Sequence, residues 1–152
     1  MSSNAIGSST TFEEAGLCRL RRGCLAVLVF LVVEYGLGMY VNLYVTVPRA
    51  DRGGGLGSAI SAGPPVLSVH AVVGLVLGLA AVGVLAQAIA ARRWAVTSLS
   101  AIGLAAMAVA SAAGAGFTST GDAAESMAMS VMTGVALLSY AVSLFLLRSA
   151  AP

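Results

Sequence analysis

The hydrophobic positions of this chain fall into four long runs that are divided by short polar gaps. The runs cover residues 24–47, 66–91, 94–116 and 123–147. A helix of about 20 residues crosses the ~30 Å hydrocarbon core of a bilayer, and each run reaches that length. The pattern therefore predicts an all-α integral membrane protein, an antiparallel four-helix bundle formed by one domain over residues 24–152.

The segment before the first run is polar. Its first 17 residues are rich in Ser, Thr and Asn, which predicts a disordered cytoplasmic tail over residues 1–23. Arginines at positions 19, 21 and 22 followed by a long apolar run resemble a signal peptide. The apolar run is too long for one, so we interpret it as an uncleaved signal anchor.

Composition narrows the range of functions. Hydrophobic residues make up 59% of the chain and charged residues only 9%, against about a quarter in soluble domains. The chain has no Walker loop, HExxH or nucleophile-elbow motif, which argues against a nucleotide-driven pump or a soluble-type hydrolase. We expect a protein without enzymatic activity. Its expected partners are the lipid bilayer and a second copy or larger membrane complex, and not nucleic acid.

The basic residues predict an orientation. The chain has no lysine, and six of its eight arginines lie before the first run, in the second gap or after the fourth run. The first gap contains Arg49 and Arg52, offset by Asp51, and the third gap contains only the acidic residues Asp122 and Glu125. The positive-inside rule then places both termini in the cytoplasm of a bacterium, with the bundle in the plasma membrane.

Two ionisable side chains, Glu34 and His70, fall inside the hydrophobic runs, and such groups are functional candidates by default. Glu34 lies near the middle of the first run, on one helical face with Gly38 and Asn42. His70 lies at nearly the depth of Asn42, and the fourth run descends from the same side with several methionines. We therefore predict a ligand-binding site in the outer half of the bundle, formed by Glu34, Asn42, His70, Met129 and Met132.

Several chemistries fit these residues. His70 and a span-four methionine are suitable axial ligands for haem b, and His70 with thioether sulfur suits Cu(I). The polar stripe also fits a pocket for a small lipophilic ligand such as a quinone, or a proton path, and this interpretation uses most of the polar residues. In a purely structural alternative, Glu34 bonds to a neighbouring helix such as the fourth, and His70 only locks helices together.

Two further features concern the connections. Glycines and prolines dominate residues 48–65, which predicts a flexible tether or a lid. Asp122 and Glu125 have the spacing of a capping box, with Asp122 as the N-cap and Glu125 reaching back to it.

The stretch from Glu34 to Pro48, the lone His70 and the run from Gly116 to Gly121 before a Ser/Met-rich helix resemble a group of small four-span membrane proteins of actinobacteria. That resemblance implies one outward-facing site and brings no established activity. The bundle is also similar to half of a haem A synthase or a b-type membrane cytochrome. Those families place a histidine on two helices, whereas this chain has one histidine in total.

Overall fold

The computed structural model describes the backbone of residues 5–44 and 64–149, and the side chains from residue 14 onward within those ranges. Within those ranges the chain forms four helices: α1 (Ala5–Tyr44), α2 (Pro65–Ala90), α3 (Trp94–Thr120) and α4 (Ala123–Ser149). All four are long and apolar enough to cross a membrane. No strand occurs within the described ranges, so the all-α prediction is confirmed. The predicted tether or lid over residues 48–65 lies almost entirely outside them.

Helix α1 begins earlier than the sequence predicts. The described helix already starts at Ala5, whereas a disordered tail is expected up to residue 23. Leu20 is fully buried in the core, and Leu17 packs against the same cluster. No proline interrupts this segment, and Leu20 continues the apolar face of the helix by one more turn, so its burial favours helix over tail.

A tight turn joins α2 to α3. The amide of Arg92 donates to the carbonyl of Ile89, and the amide of Arg93 donates to the carbonyl of Ala88, which is the hydrogen-bond pattern of a Schellman motif. Arg92 occupies the left-handed position that glycine usually takes, with φ 53°. This motif ends α2 and reverses the chain within three residues.

The turn between α3 and α4 confirms half of the expected capping box. Gly121 adopts the left-handed conformation that ends α3, and the Asp122 side chain accepts a hydrogen bond from the amide of Ala124 at 3.0 Å. The amide of Asp122 donates to the Thr120 hydroxyl instead of to Glu125. Glu125 lies against α3, where its carboxylate would meet a side chain at Gly116.

The buried faces of the helices repeat every three and four residues alternately, which is the spacing of a coiled-coil seam. On α1 the repeat runs through positions 20, 24, 27, 31, 34, 38 and 41. On α2 it runs through positions 67, 70, 74, 77, 81, 84 and 88. Glu34 and His70 therefore both occupy seam positions and point between helices.

Contacts across the seams show that neighbouring helices run antiparallel. Gly23 lies against Val84, and Gly38 lies against His70, so α1 ascends as α2 descends. The helices form a ring in which α1 contacts α2 and α4, and α3 contacts the same two helices, most extensively α4.

We divide the bundle into two halves. The arginine-side half holds the α2–α3 turn and the arginines at positions 19, 21, 22, 92, 93 and 148. The loop-side half holds the end of α1, the start of α2 and the α3–α4 turn. Most of the large buried apolar side chains lie in the arginine-side half, including Leu20, Val27, Val84, Tyr140 and Leu147.

Candidate functional site

A cavity of about 420 Å³ opens in the loop-side half, with all four helices contributing to its wall. Leu31, Leu77 and Met107 line it and also belong to the buried core cluster, so the cavity borders the packed core at these residues. Small residues such as Gly38, Gly74 and Gly114 line the wall on the loop side of them. The cavity exists because these seam positions carry no bulk to fill the space between the helices.

Two ionisable side chains, those of Glu34 and His70, lie next to each other in the cavity wall. Nδ1 of His70 lies 2.9 Å from Oε1 of Glu34, which joins α2 to α1. The distance is that of a hydrogen bond, but the ring N–H does not point at the carboxylate, so this is a close carboxylate–imidazole contact and not an aligned hydrogen bond. The sequence prediction that Glu34 bonds to a helix such as α4 differs from this finding, because the carboxylate turns toward α2.

Two glycines make room for the pair. A Cβ at Gly74 would come within 2.9 Å of Oε1 of Glu34, and a Cβ at Gly38 would come within 3.2 Å of the His70 ring. Each ionisable side chain therefore covers the glycine of the opposite helix. Close backbone approach at small residues brings the two helices near enough for the pair to form.

The pair retains hydrogen-bonding capacity that folding has not used. Oε2 of Glu34 is buried and accepts no hydrogen bond from any described residue. Nε2 of His70 does not share that burial and has no hydrogen-bond partner among the described residues, so it is accessible. Because Nδ1 faces the Glu34 carboxylate, Nε2 is the ring nitrogen left for another partner.

The other polar groups of the cavity are already satisfied, with one exception. The hydroxyls of Ser111, Thr118 and Thr133 donate to backbone carbonyls of their own helices. Asn42 lines the cavity near its loop-side end, and its side chain has no partner within the described part of the chain. Polar recognition in this cavity therefore rests on Glu34, His70 and Asn42.

The two methionines of the predicted site, Met129 and Met132, lie in different parts of the structure. Met129 lines the cavity and also a smaller one of about 40 Å³, where it meets Glu34, Asn42 and His70 again. Its sulfur is near α3, 3.3 Å from where a Cβ would stand at Gly114. Met132 lines neither cavity and packs against the apolar core. The structure therefore brings together four of the five expected residues and places Met132 elsewhere.

Metal binding has limited support from side chains. No group of three or more His, Cys, Asp or Glu residues that fits a metal ion occurs in the described ranges. His70 and Met129 are the nearest approach to a ligand set, since both line the same cavities.

Sequence reasoning missed the contribution of α3. A stripe on this helix lines one side of the cavity and consists of Leu104, Ala108, Ser111, Ala115 and Thr118. The signal was available as small residues at alternating four- and three-residue spacing, but α3 carries no ionisable group to draw attention to it.

Comparisons with protein-family models, with curated proteins and with solved structures find no match to this chain. The function is therefore argued from the geometry of the cavity and its polar groups.

Proposed function

We propose that this chain is a multi-pass membrane protein that binds a small lipophilic ligand in its loop-side cavity. The observation that carries the proposal is an apolar cavity of about 420 Å³ with one accessible imidazole nitrogen in its wall. Ligand sites for small molecules have volumes of roughly 300–1,000 Å³ and are mostly apolar, with a few polar groups that orient the ligand.

The membrane setting follows from the surface. Large apolar side chains are exposed on the outside of every helix, for example Phe30, Leu79, Ile102 and Phe145. Contiguous apolar surface on that scale is unfavourable in water and suits a hydrocarbon environment. With six arginines at one end of the bundle, the positive-inside rule favours both termini in the cytoplasm and the cavity in the outer leaflet of a bacterial plasma membrane.

The role of the pair is to hold the ligand's polar group. Glu34 fixes the His70 ring through Nδ1, and Nε2 then accepts from, or when protonated donates to, a ligand oxygen. Ionisable groups inside a membrane are costly, and one with unused hydrogen-bonding capacity points to a ligand more than to a helix lock.

Binding of decyl-1,4-benzoquinone to the protein in lipid nanodiscs tests this proposal, with empty nanodiscs correcting for partition into lipid. We expect saturable binding that falls at least tenfold in Gly78→Leu. Gly78 lines the cavity, and a Cβ there would meet no atom within 4 Å. Gly83→Leu is the matched control, because Gly83 lies on the same helix, has equally open space and does not line the cavity. Equal binding by the two variants contradicts the proposal.

A second candidate is haem b binding with His70 and Met129 as axial ligands, favoured by their presence in the wall of the same cavities. A bound haem would supply one-electron chemistry, and these two side chains would set its iron ligation. A reduced-minus-oxidised visible spectrum after expression with added haem decides this candidate. A Soret band lost in His70→Ala supports it, and a featureless spectrum removes it.

A further inference from the structure

The cavity is not confined to the centre of the bundle, because its lining continues into the groove between α2 and α3. On α2 the lining includes Leu75, Leu79 and Val82, which are 58%, 66% and 50% exposed on the surface of the bundle. On α3 it includes Ala108, which is also exposed. Residues that both line a cavity and face outward mark the place where that cavity opens.

A tight turn at 91–93 joins α2 and α3 at the arginine-side end, away from this opening. Their contact is slightly less extensive than those of α1 with α2 and with α4, and much less extensive than that of α3 with α4. The exposed residues of the α2 lining run from Leu75 to Val82, which is about 10 Å along a helix at ~1.5 Å per residue. The opening is therefore a slot parallel to the helix axes.

Between Leu75 and Val82 the slot offers no unsatisfied polar group to a molecule that enters it. Its side chains are apolar except Ser111, whose hydroxyl donates to the carbonyl of Met107 at 2.9 Å. The accessible Nε2 of His70 and the Asn42 amide lie in the part of the cavity on the loop side of the slot. A cavity with polar groups at this end and an apolar slot beyond them matches a single-chain amphiphile.

Charge limits the head group of that amphiphile. None of the described residues lining the cavity is an arginine, and the chain has no lysine. A phosphate head group would meet the Glu34 carboxylate without a cationic partner of its own, which is unfavourable. A neutral head with a hydroxyl or carbonyl oxygen suits the imidazole nitrogen.

We infer that the ligand reaches the cavity sideways from the bilayer, between α2 and α3, and that it is a neutral single-chain lipid. Its oxygen lies at Nε2 of His70, and its chain occupies the slot between Leu79 and Ala108. This inference rests on the proposed ligand-binding function and adds the route and the chemical class.

Photolabelling of the full chain in phosphatidylcholine nanodiscs tests it, with hexadecanol that carries a diazirine in the middle of its chain. We expect adducts on Leu79, Val82 and Ala108 at least fivefold above those on Val29 and Leu138, which are exposed on α1 and α4 and line neither cavity. The phosphate ester of the same alcohol should give no such enrichment.

A blocking variant provides the second readout. Ala108→Trp fills the slot and should lower the slot adducts at least fivefold, while Ala112→Trp, at an exposed position of α3 outside the cavity lining, should not. Circular dichroism and gel filtration check that both variants fold. The wild-type adduct map remains a test that needs no variant.

The outcomes separate the two proposals. Adducts spread evenly over exposed residues, or equal enrichment with the phosphate ester, overturn the lateral route or the neutral head group. If Gly78→Leu still abolishes quinone binding in that case, the cavity function stands and only this inference fails. If Gly78→Leu changes neither quinone binding nor labelling, the cavity function fails as well.

Discussion

The same spacing of seam positions continues through both halves of the bundle, but the halves differ in how fully side chains fill the space between the helices. In the arginine-side half, the seam is closely packed, and Leu20 and Tyr140 are fully buried together with small residues such as Ala88. In the loop-side half, the same repeat carries Gly38, Gly74 and Gly114 with the Glu34–His70 pair, and a cavity remains. The arginine-side half is a filled core, and the loop-side half contains a cavity.

Because of this difference, the contacts that stabilise the fold and the residues that we propose bind a ligand lie in different halves of the molecule. Packing contacts hold membrane helices together, because lipid gives no hydrophobic drive for their association. The filled half supplies those contacts, so the hollow half is free to keep its volume. Substitutions that change side-chain size should therefore cost more stability in the filled half than in the hollow half.

The largest effect is expected at Tyr140. Removing its ring with Tyr140→Ala leaves a cavity in the filled half and should cost about 3–5 kcal/mol of unfolding free energy, as large aromatic truncations do. Phe145→Ala, at an exposed position of the same helix, should cost far less. Unfolding in mixed detergent micelles measures both, and similar losses would contradict the division into halves.

Tyr140 also offers a finer test. Its hydroxyl is buried and has no hydrogen-bond partner among the described residues, so Tyr140→Phe should leave stability unchanged or slightly raised. A loss above about 1 kcal/mol, the size of a typical net hydrogen bond, would reveal a partner for this hydroxyl.

The next difference in stability between the halves is expected from glycine-to-alanine substitutions on α3. Gly103→Ala puts a Cβ 2.8 Å from the Tyr140 ring, and overpacking of this kind costs about 1–3 kcal/mol. Gly114→Ala puts a Cβ 3.3 Å from the flexible Met129 side chain at the cavity wall, and should cost under about 1 kcal/mol. Thermal unfolding in detergent compares the two, and the reverse order would contradict the account.

Filling the cavity should leave the fold intact. Gly78→Leu and Gly83→Leu gain the same helix propensity, about 1 kcal/mol, and neither new Cβ meets an atom within 4 Å. We expect both variants to be at least as stable as the wild type by thermal unfolding. Destabilisation confined to Gly78→Leu would mean that the loop-side half is closed rather than hollow.

A small effect is expected from the contact between Glu34 and His70 itself. A double-mutant cycle of Glu34→Gln and His70→Asn should give a coupling of about 0.6 kcal/mol, the average for interhelical polar contacts in a membrane protein. Coupling above about 2 kcal/mol would make the pair a major structural lock and weaken its assignment to ligand binding.

Much of the fold could be predicted from the sequence, because hydrophobic length and small-residue spacing are local signals. The four helices and the presence of Glu34, Asn42, His70 and Met129 in one region follow from them. The pairing of Glu34 with His70 could not be predicted. It depends on how α1 and α2 are rotated about their axes, which places His70 opposite Gly38, and depth in the membrane does not give that rotation. The extension of α1 to Ala5 also depends on tertiary burial of Leu20.

The slot between α2 and α3 lay beyond sequence reasoning for a related reason. Leu75, Leu79 and Ala108 look like ordinary lipid-facing residues, and only the relative placement of α2 and α3 gives them a cavity to line. That placement depends on packing around the whole ring.

The most direct measurement is a crystal structure of the protein grown in a lipid phase, inspected at the loop-side cavity. We predict elongated electron density that begins at Nε2 of His70 and leaves the bundle between Leu79 and Ala108. A structure in which α2 and α3 close on each other, with Leu75 and Leu79 turned inward and no space between them, would contradict the hollow half and the function proposed for it.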